Sequence, residues 1–272
     1  MIKNKLKEKW QTGQGTLNGW LSINSPFVAE IMAEQGYDSV TIDMQHGAIG
    51  YEGALGMLQA IRASGVVPMV RVPWNEPGVI MKALDAGAYG IICPMVNTRA
   101  DAERLVSYMR YPPYGQRSFG PTRANFSAGA GYASEANGEI LCLAMIETAE
   151  AMKNLDEIVA TPGLDGIYIG PADLTLGITN GELPPGFDRE EPQMLDAIHR
   201  IRTVANDAGI WACIHCGTPE YAAKALGWGF NMTTLSNDVR LLASQASATV
   251  TRARALIASG EAASASASSE GY

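Results

Sequence analysis

Eight times along this 272-residue chain a short apolar run gives way to a turn and then to a stretch whose apolar positions recur every three or four residues. Runs with strand character fall at 19–23, 39–43, 66–71, 90–93, 141–146, 166–169, 210–214 and 231–234. Helical stretches fall at 26–35, 51–64, 76–86, 98–109, 149–160, 193–208, 219–226 and 237–257. Several run into a glycine, as helix C-termini prefer, at Gly36, Gly65, Gly87, Gly209 and Gly227. Eight strand–helix units with no spare strand predict an α/β chain of one domain, a closed (β/α)8 TIM barrel over residues 1–258. An open dinucleotide-binding sheet would need a glycine-rich loop after the first strand, where Asn24, Ser25 and Pro26 stand instead. Residues 259–272 are rich in Ala, Ser, Gly and Glu; they cannot bury enough apolar surface to offset their ordering entropy and are expected to form a disordered tail.

The net charge of −8 argues against nucleic acid as a partner, since the one basic cluster is Lys3, Lys5, Lys7 and Lys9, which reads as a solvated helix face. No segment approaches the roughly 20 apolar residues that span a bilayer, and the N-terminus lacks the apolar core of a secretory signal. A cytoplasmic protein is expected. Cys93, Cys142, Cys213 and Cys216 lie in or beside apolar runs, as reduced buried thiols do. Cys213 and Cys216 form a C-x-x-C without a second pair, and strand alternation sends them to opposite faces, so packing is favoured over zinc.

Two connections exceed plain turns, 111–139 and 174–192. Both are expected to leave the C-terminal ends of strands, where barrel enzymes build their sites, and to wall or cover the mouth.

Polar residues at the C-terminal tips of the strands are the informative ones, and these are Asp43 with Gln45 and His46, then Arg71, Glu147 and Asp173. Glu147 and Asp173 leave adjacent strands at similar height. Each alone could cap a helix or pair with a cation. Together they repel and raise one another's pKa unless a cation lies between them. Two protein oxygens leave most of an ion's coordination open, which suits Mg²⁺, with Mn²⁺ or Co²⁺ also acceptable. Arg71 needs an anion at the tip of a buried strand, either a structural carboxylate or a substrate oxyanion. His46 is either a general base or a packing residue. Asp85 ends a helix, where the dipole disfavours its charge, and orienting an imidazole would explain it. His199 reads as a surface or core residue, and His215, after the seventh strand, could line the mouth. Beyond the N-terminal cluster the lysines are Lys82, Lys153 and Lys224, all in helical stretches, so Schiff-base chemistry is disfavoured.

The runs Asp43-Met44-Gln45-His46-Gly47, Val70-Arg71-Val72-Pro73-Trp74-Asn75, Leu84-Asp85-Ala86-Gly87-Ala88, Cys93-Pro94-Met95-Val96, Arg110-Tyr111-Pro112-Pro113, Met145-Ile146-Glu147-Thr148 and Ile169-Gly170-Pro171-Ala172-Asp173-Leu174 resemble the HpcH/HpaI aldolase family of class II pyruvate aldolases, from about residue 19 to 257. The resemblance implies a lyase that reversibly cleaves a 4-hydroxy-2-oxo acid to pyruvate and an aldehyde through a pyruvate enolate. It assigns Glu147 and Asp173 as metal ligands, Arg71 to the enolate oxygen, and His46, oriented by Asp85, as the base. Gly170, Pro171, Ala172 and Asp173 would present backbone amides to the pyruvate carboxylate, as helix N-termini do. It also implies a homohexamer with the last helix exchanged between barrels, and substrate contacts from His215, the 117–132 segment and a neighbouring subunit. Two departures stand out: many relatives carry Glu at position 45 and Gln at 145, and His215 occupies a usually apolar position near the aldehyde. The same enolate site would also serve a malyl-coenzyme A type thioester lyase, which needs a basic rim hinted at only by Arg117 and Arg123, or an oxaloacetate decarboxylase.

Overall fold

A computed structural model describes residues 1–259. The strands are β1 (Thr16–Leu21), β2 (Ser39–Asp43), β3 (Val67–Arg71), β4 (Gly90–Cys93), β5 (Leu141–Met145), β6 (Gly166–Ile169), β7 (Trp211–Cys216) and β8 (Met232–Leu235). Each pairs in parallel with the next, and β8 closes on β1 with Thr16 opposite Met232. This is the single-domain (β/α)8 barrel that the alternation predicts, with strand bounds within a few residues of expectation. Residues 260–272 lie outside the described residues, so the tail expectation falls there, apart from Ser259, which ends the last helix.

Local chemistry sets where each helix begins. Ser25, Thr98, Thr148 and Thr218 stand just before helices and accept the backbone N–H three residues on. Proline occupies the first turn at Pro26, Pro77, Pro171, Pro192 and Pro219, where its missing N–H costs nothing. Thr148 starts a helix immediately after Glu147, which pins that carboxylate to a short, rigid turn.

The helix Lys5–Gln11 closes the N-terminal end of the barrel. From Lys5 on the lysine cluster is helical but not merely solvated: Leu6 within it and Trp10 just after it are buried, and Trp10 packs 5.1 Å from Trp211 while its Nε1 donates to Thr16 Oγ1 at 2.8 Å. Inside the barrel the filling is partly polar. Asn18 Nδ2 donates to Thr234 Oγ1 at 2.9 Å, and Asn18 Oδ1 accepts from Ser39 Oγ at 2.8 Å and Thr41 Oγ1 at 3.0 Å. Every member of this network is satisfied, which is what a buried polar cluster requires.

One expectation about the long connections is corrected. Segment 111–139 follows the helix Arg99–Met109 and leads into the start of β5, so in this chain it lies at the N-terminal end of the barrel, opposite the mouth. It also contains helices, Ala124–Ser127 and Tyr132–Glu139, which its Gly and Pro content concealed. Segment 174–192 does leave the mouth end, yet the helix Pro171–Thr179 occupies its first part.

All four cysteines are free and buried, and burial pushes the Cys142 thiol up to about 12. No helix among the described residues is long and apolar enough to cross a membrane. The final helix, Asp238–Ser259, buries only Asp238, so its apolar residues face away from the barrel.

Candidate active site

Asp43 and Arg71 end neighbouring strands in direct register. Arg71 Nε donates to Asp43 Oδ1 at 2.8 Å and Nη2 to Oδ2 at 2.6 Å, a bidentate pair buried at the mouth. Asp43 also accepts from Trp20 Nε1 at 3.2 Å and from the backbone N–H of Gln45 and His46 at 3.0 and 3.2 Å. Burial drives its carboxyl pKa up, but the Arg71 bonds and charge together with the two amides outweigh that and hold it below the usual carboxylate value. The turn requires glycine at 47, where a Cβ would collide with the Asp43 carbonyl. Arg71 thus has its structural carboxylate, and its remaining N–H groups are left for a second anion. The guanidinium lies 4.8 Å from the Trp20 ring centroid, which fixes its plane.

Glu147 follows β5 and is only 2% exposed. Its Oε1 accepts the Met95 N–H at 2.7 Å, from a backbone turned into the left-handed region at φ 56°. Its Oε2 lies beside Gly170, where an added Cβ would stand 3.1 Å away. Met145 of β5 is level with Tyr168 of β6, so the chain beyond Glu147 and the turn at Gly170 leave the barrel together. Burial raises the Glu147 carboxyl to about 7; the Met95 bond and Arg71 oppose the rise, and the Asp173 charge adds to it. Asp173 stands exposed in the first turn of the helix Pro171–Thr179.

These donors fit a divalent cation. They are hard oxygens on two adjacent elements, and the one that burial, and then the Asp173 charge, disfavours as an anion gains from a cation placed between them. Beside them, Ala172 and Asp173 present first-turn N–H groups without acceptors among the described residues, while Gly170 accepts from Leu174 at 3.0 Å.

His215 is the penultimate residue of β7, near the mouth. Its Nδ1 meets the Tyr168 hydroxyl at 3.2 Å, and that hydroxyl also meets Thr234 Oγ1 at 2.8 Å. Phe187 stacks on the imidazole at 4.7 Å, and Trp20 meets it edge-on at 5.0 Å. Burial and then the Arg71 charge push its pKa down to about 3, so it is neutral. Its Nε2 is buried without a side-chain partner among the described residues, and the Ser236 backbone lies beside the imidazole.

His46 is exposed, and its ring has no hydrogen-bond partner among the described residues. Asp85 ends the helix Pro77–Asp85, just before the chain turns back into the start of β4. It therefore lies at the opposite end of the barrel from His46, paired with Arg117 Nη2 at 2.6 Å, which also donates to the Tyr132 hydroxyl at 3.0 Å. Arg117 and Arg123 share that far end, so they supply no basic rim to the mouth of their own chain.

Sequence reading missed Trp20, Tyr168, Phe187 and Met95. Trp20 could have been found, because it shares a strand face with Asn18, whereas Tyr168 has glycines at 166 and 170 on its own face. The left-handed turn at Met95 carries no signal of its own.

Residues 17–245 match the HpcH/HpaI aldolase/citrate lyase family. The chain belongs to that family. A hydroxypyruvate/pyruvate aldolase of Rhizorhabdus wittichii is 44% identical over 253 residues, 93% of this chain and 100% of the relative. A 2-keto-3-deoxy-L-rhamnonate aldolase of Escherichia coli is 32% identical over 89% of this chain and 90% of its own length. Among solved structures, an HpcH/HpaI aldolase/citrate lyase family protein of Burkholderia cenocepacia superposes with a TM-score of 0.84 at 30% identity, covering 93% of this chain and 100% of that one. This HpcH/HpaI chain is therefore a carbon–carbon lyase of the aldolase type.

Proposed function

We propose that the enzyme reversibly cleaves a 4-hydroxy-2-oxo acid into an aldehyde and pyruvate, or hydroxypyruvate as in the Rhizorhabdus relative, at a divalent ion on Glu147 and Asp173. The observation that carries this reading is the Glu147 carboxylate, buried at the barrel mouth with the Asp173 and Arg71 charges close enough to act on it. A divalent ion bound there, Mg²⁺, Mn²⁺ or Co²⁺, supplies Lewis acidity to the 2-oxo group. Arg71, held rigid by Asp43, offers its free N–H groups to the oxygen on which negative charge develops. The amides of Ala172 and Asp173, in the turn from Gly170 and Pro171, receive the substrate carboxylate. His215, neutral and without a side-chain partner on Nε2, is placed to bond a polar group of the substrate. His46 takes the proton of the 4-hydroxyl as general base.

Asp85 can orient His46 only from a second copy of the chain, because the two residues occupy opposite ends of one barrel. That requirement and the exposed apolar length of the helix Asp238–Ser259 support a homo-oligomer, which we take to be a hexamer with this helix exchanged. Four reduced, buried thiols favour a cytoplasmic location. The coenzyme A alternative is disfavoured, since Arg117 and Arg123 lie away from the mouth.

The test is retro-aldol turnover, assayed by coupled pyruvate detection after metal removal and readdition, in the wild type, Glu147→Gln and Asp173→Asn. Both variants are expected to lose metal-dependent activity, and normal turnover in either removes the pair from its role. Exchange of the pyruvate methyl protons in heavy water, followed by NMR, is expected to stop in Arg71→Ala.

A further inference from the structure

The end of the barrel opposite the mouth holds a cavity of about 130 Å³ between the N-terminal segment, the end of the helix Tyr51–Ile61, the start of β3 and the helix Ala124–Ser127. Four cations line it, Lys3, Lys5, Arg62 and Arg123, and no carboxylate does. In a chain of net charge −8 that is an uneven placement. Lys3 is neutralised outside the cavity by Glu135 and Glu139, at 3.0 and 2.9 Å. The other three meet carbonyl oxygens: Lys5 Nζ donates to Gly65 at 2.9 Å, Arg62 Nη2 to Phe126 at 3.0 Å, and Arg123 to Leu58 at 3.0 Å and to Ala86. None of the three has an ion-pair partner among the described residues.

A carbonyl accepts a proton but cancels no charge, so three positive charges converge uncompensated. Burial, and then the Arg62 charge, lower the Arg123 guanidinium from its ordinary pKa, as expected where like charges crowd without a counterion. Ser127 adds a hydroxyl to the lining whose Oγ is buried without a partner among the described residues. Gly87, at φ +107°, faces both groups: an added Cβ would stand 2.5 Å from Arg123 Nη1 and 2.7 Å from Ser127 Oγ. Its missing side chain lets guanidinium and hydroxyl pack against the same turn, side by side.

We propose that this cavity binds a small oxyanion, inorganic phosphate or a phosphate monoester with a short carbon arm, through Lys5, Arg62, Arg123 and the Ser127 hydroxyl. The volume is enough for one tetrahedral oxyanion with a short arm. Arginine forks and a hydroxyl donor are the groups that recognise phosphate oxygens. The remaining lining, from Leu58, Val67 and Tyr89, is apolar enough to receive the arm.

Isothermal titration of the full chain with inorganic phosphate, and separately with a three-carbon phosphate monoester, against sodium chloride of equal ionic strength, tests this. One saturable site per chain is expected, weakened at least about tenfold in a Lys5→Gln, Arg62→Gln double variant. Arg123 holds the carbonyls of two helix ends, so the double variant carries the test, with circular dichroism confirming that it folds. Glu147→Gln is expected to leave the affinity unchanged, which separates this site from the mouth. Tighter binding of the monoester assigns the apolar wall to an organic arm, and equal binding assigns the site to free phosphate. Absence of a saturable heat, unchanged affinity in the double variant, or loss of binding in Glu147→Gln overturns the proposal.

Discussion

Arg71 grips Asp43 through both carboxylate oxygens, Nε to Oδ1 at 2.8 Å and Nη2 to Oδ2 at 2.6 Å, and both side chains are buried. Removing one member strands a buried charge. Arg71→Ala is expected to cost roughly 3–5 kcal/mol in urea unfolding, and adding Asp43→Asn to it should recover part of that loss. A single variant as stable as the wild type would deny the pair its structural role, whatever happens to turnover.

Glu147 has the opposite energetic sign. Without a metal, its carboxyl is raised to about 7 by burial and by Asp173, so folding at neutral pH proceeds against that strain. Glu147→Gln is expected to raise the stability of the metal-free protein by roughly 2 kcal/mol and to abolish the stabilisation that added Mg²⁺ or Mn²⁺ gives the wild type. Calorimetry with and without chelator checks both. A variant that metal still stabilises would place the ion elsewhere.

His215 sets a pH dependence. Its folded pKa, about 3, lies below the ordinary value of 6.5. The unfolded chain therefore binds the extra proton, and stability falls as pH drops from about 6.5 toward 3, by at most about 1.4 kcal/mol per unit. His215→Phe is expected to flatten this part of the stability curve measured by denaturant titration at pH 4 to 7. An unchanged slope would mean that the imidazole is charged in the fold.

Gly170 makes room for the Glu147 carboxylate. In Gly170→Ala the new methyl would meet Glu147 Oε2 at 3.1 Å and Met145 Cε at 2.8 Å. The methionine tip can move, but the carboxylate is tied to the Met95 amide. Metal affinity is expected to fall about tenfold, comparable to disturbing a ligand's supporting contacts, while the fold persists. Titration of Mn²⁺ by electron paramagnetic resonance measures it directly.

The last helix predicts assembly. Leu242 is 63% exposed and Ile257 71%, and a helix of 22 residues, about 33 Å long, presents such side chains along its length. The wild type is expected to run as an oligomer in light scattering, and Leu242→Asp with Ile257→Asp to shift it toward monomer. A monomeric wild type would remove the basis for sharing Asp85 between copies.

The barrel was legible because period-2 and period-3.6 patterns alternate eight times and several helices stop at glycine. Glu147, Asp173, Arg71 and Asp43 were legible as polar tips on apolar strands. Other features were not. The helix Lys5–Gln11 reads as a solvated face because only Leu6 and Trp10 mark its inner side. Segment 111–139 reads as a mouth loop from its length and turn-rich composition, yet it follows a helix rather than a strand, Arg99–Met109, and so returns to the start of β5. Pairing Asp85 with Arg117 rather than with His46 depends on which end of the barrel each occupies, a matter of topology that residue identity does not carry.

Asn18, Ser39, Thr41, Thr234, Tyr168 and His215 form one run of hydroxyls, an amide and an imidazole from the barrel floor to the mouth. Floor and mouth therefore cannot be optimised separately. Laboratory evolution toward a new aldehyde should recover substitutions at Asn18 or Thr234, behind the Tyr168 hydroxyl, because a tilt of Tyr168 there re-aims His215.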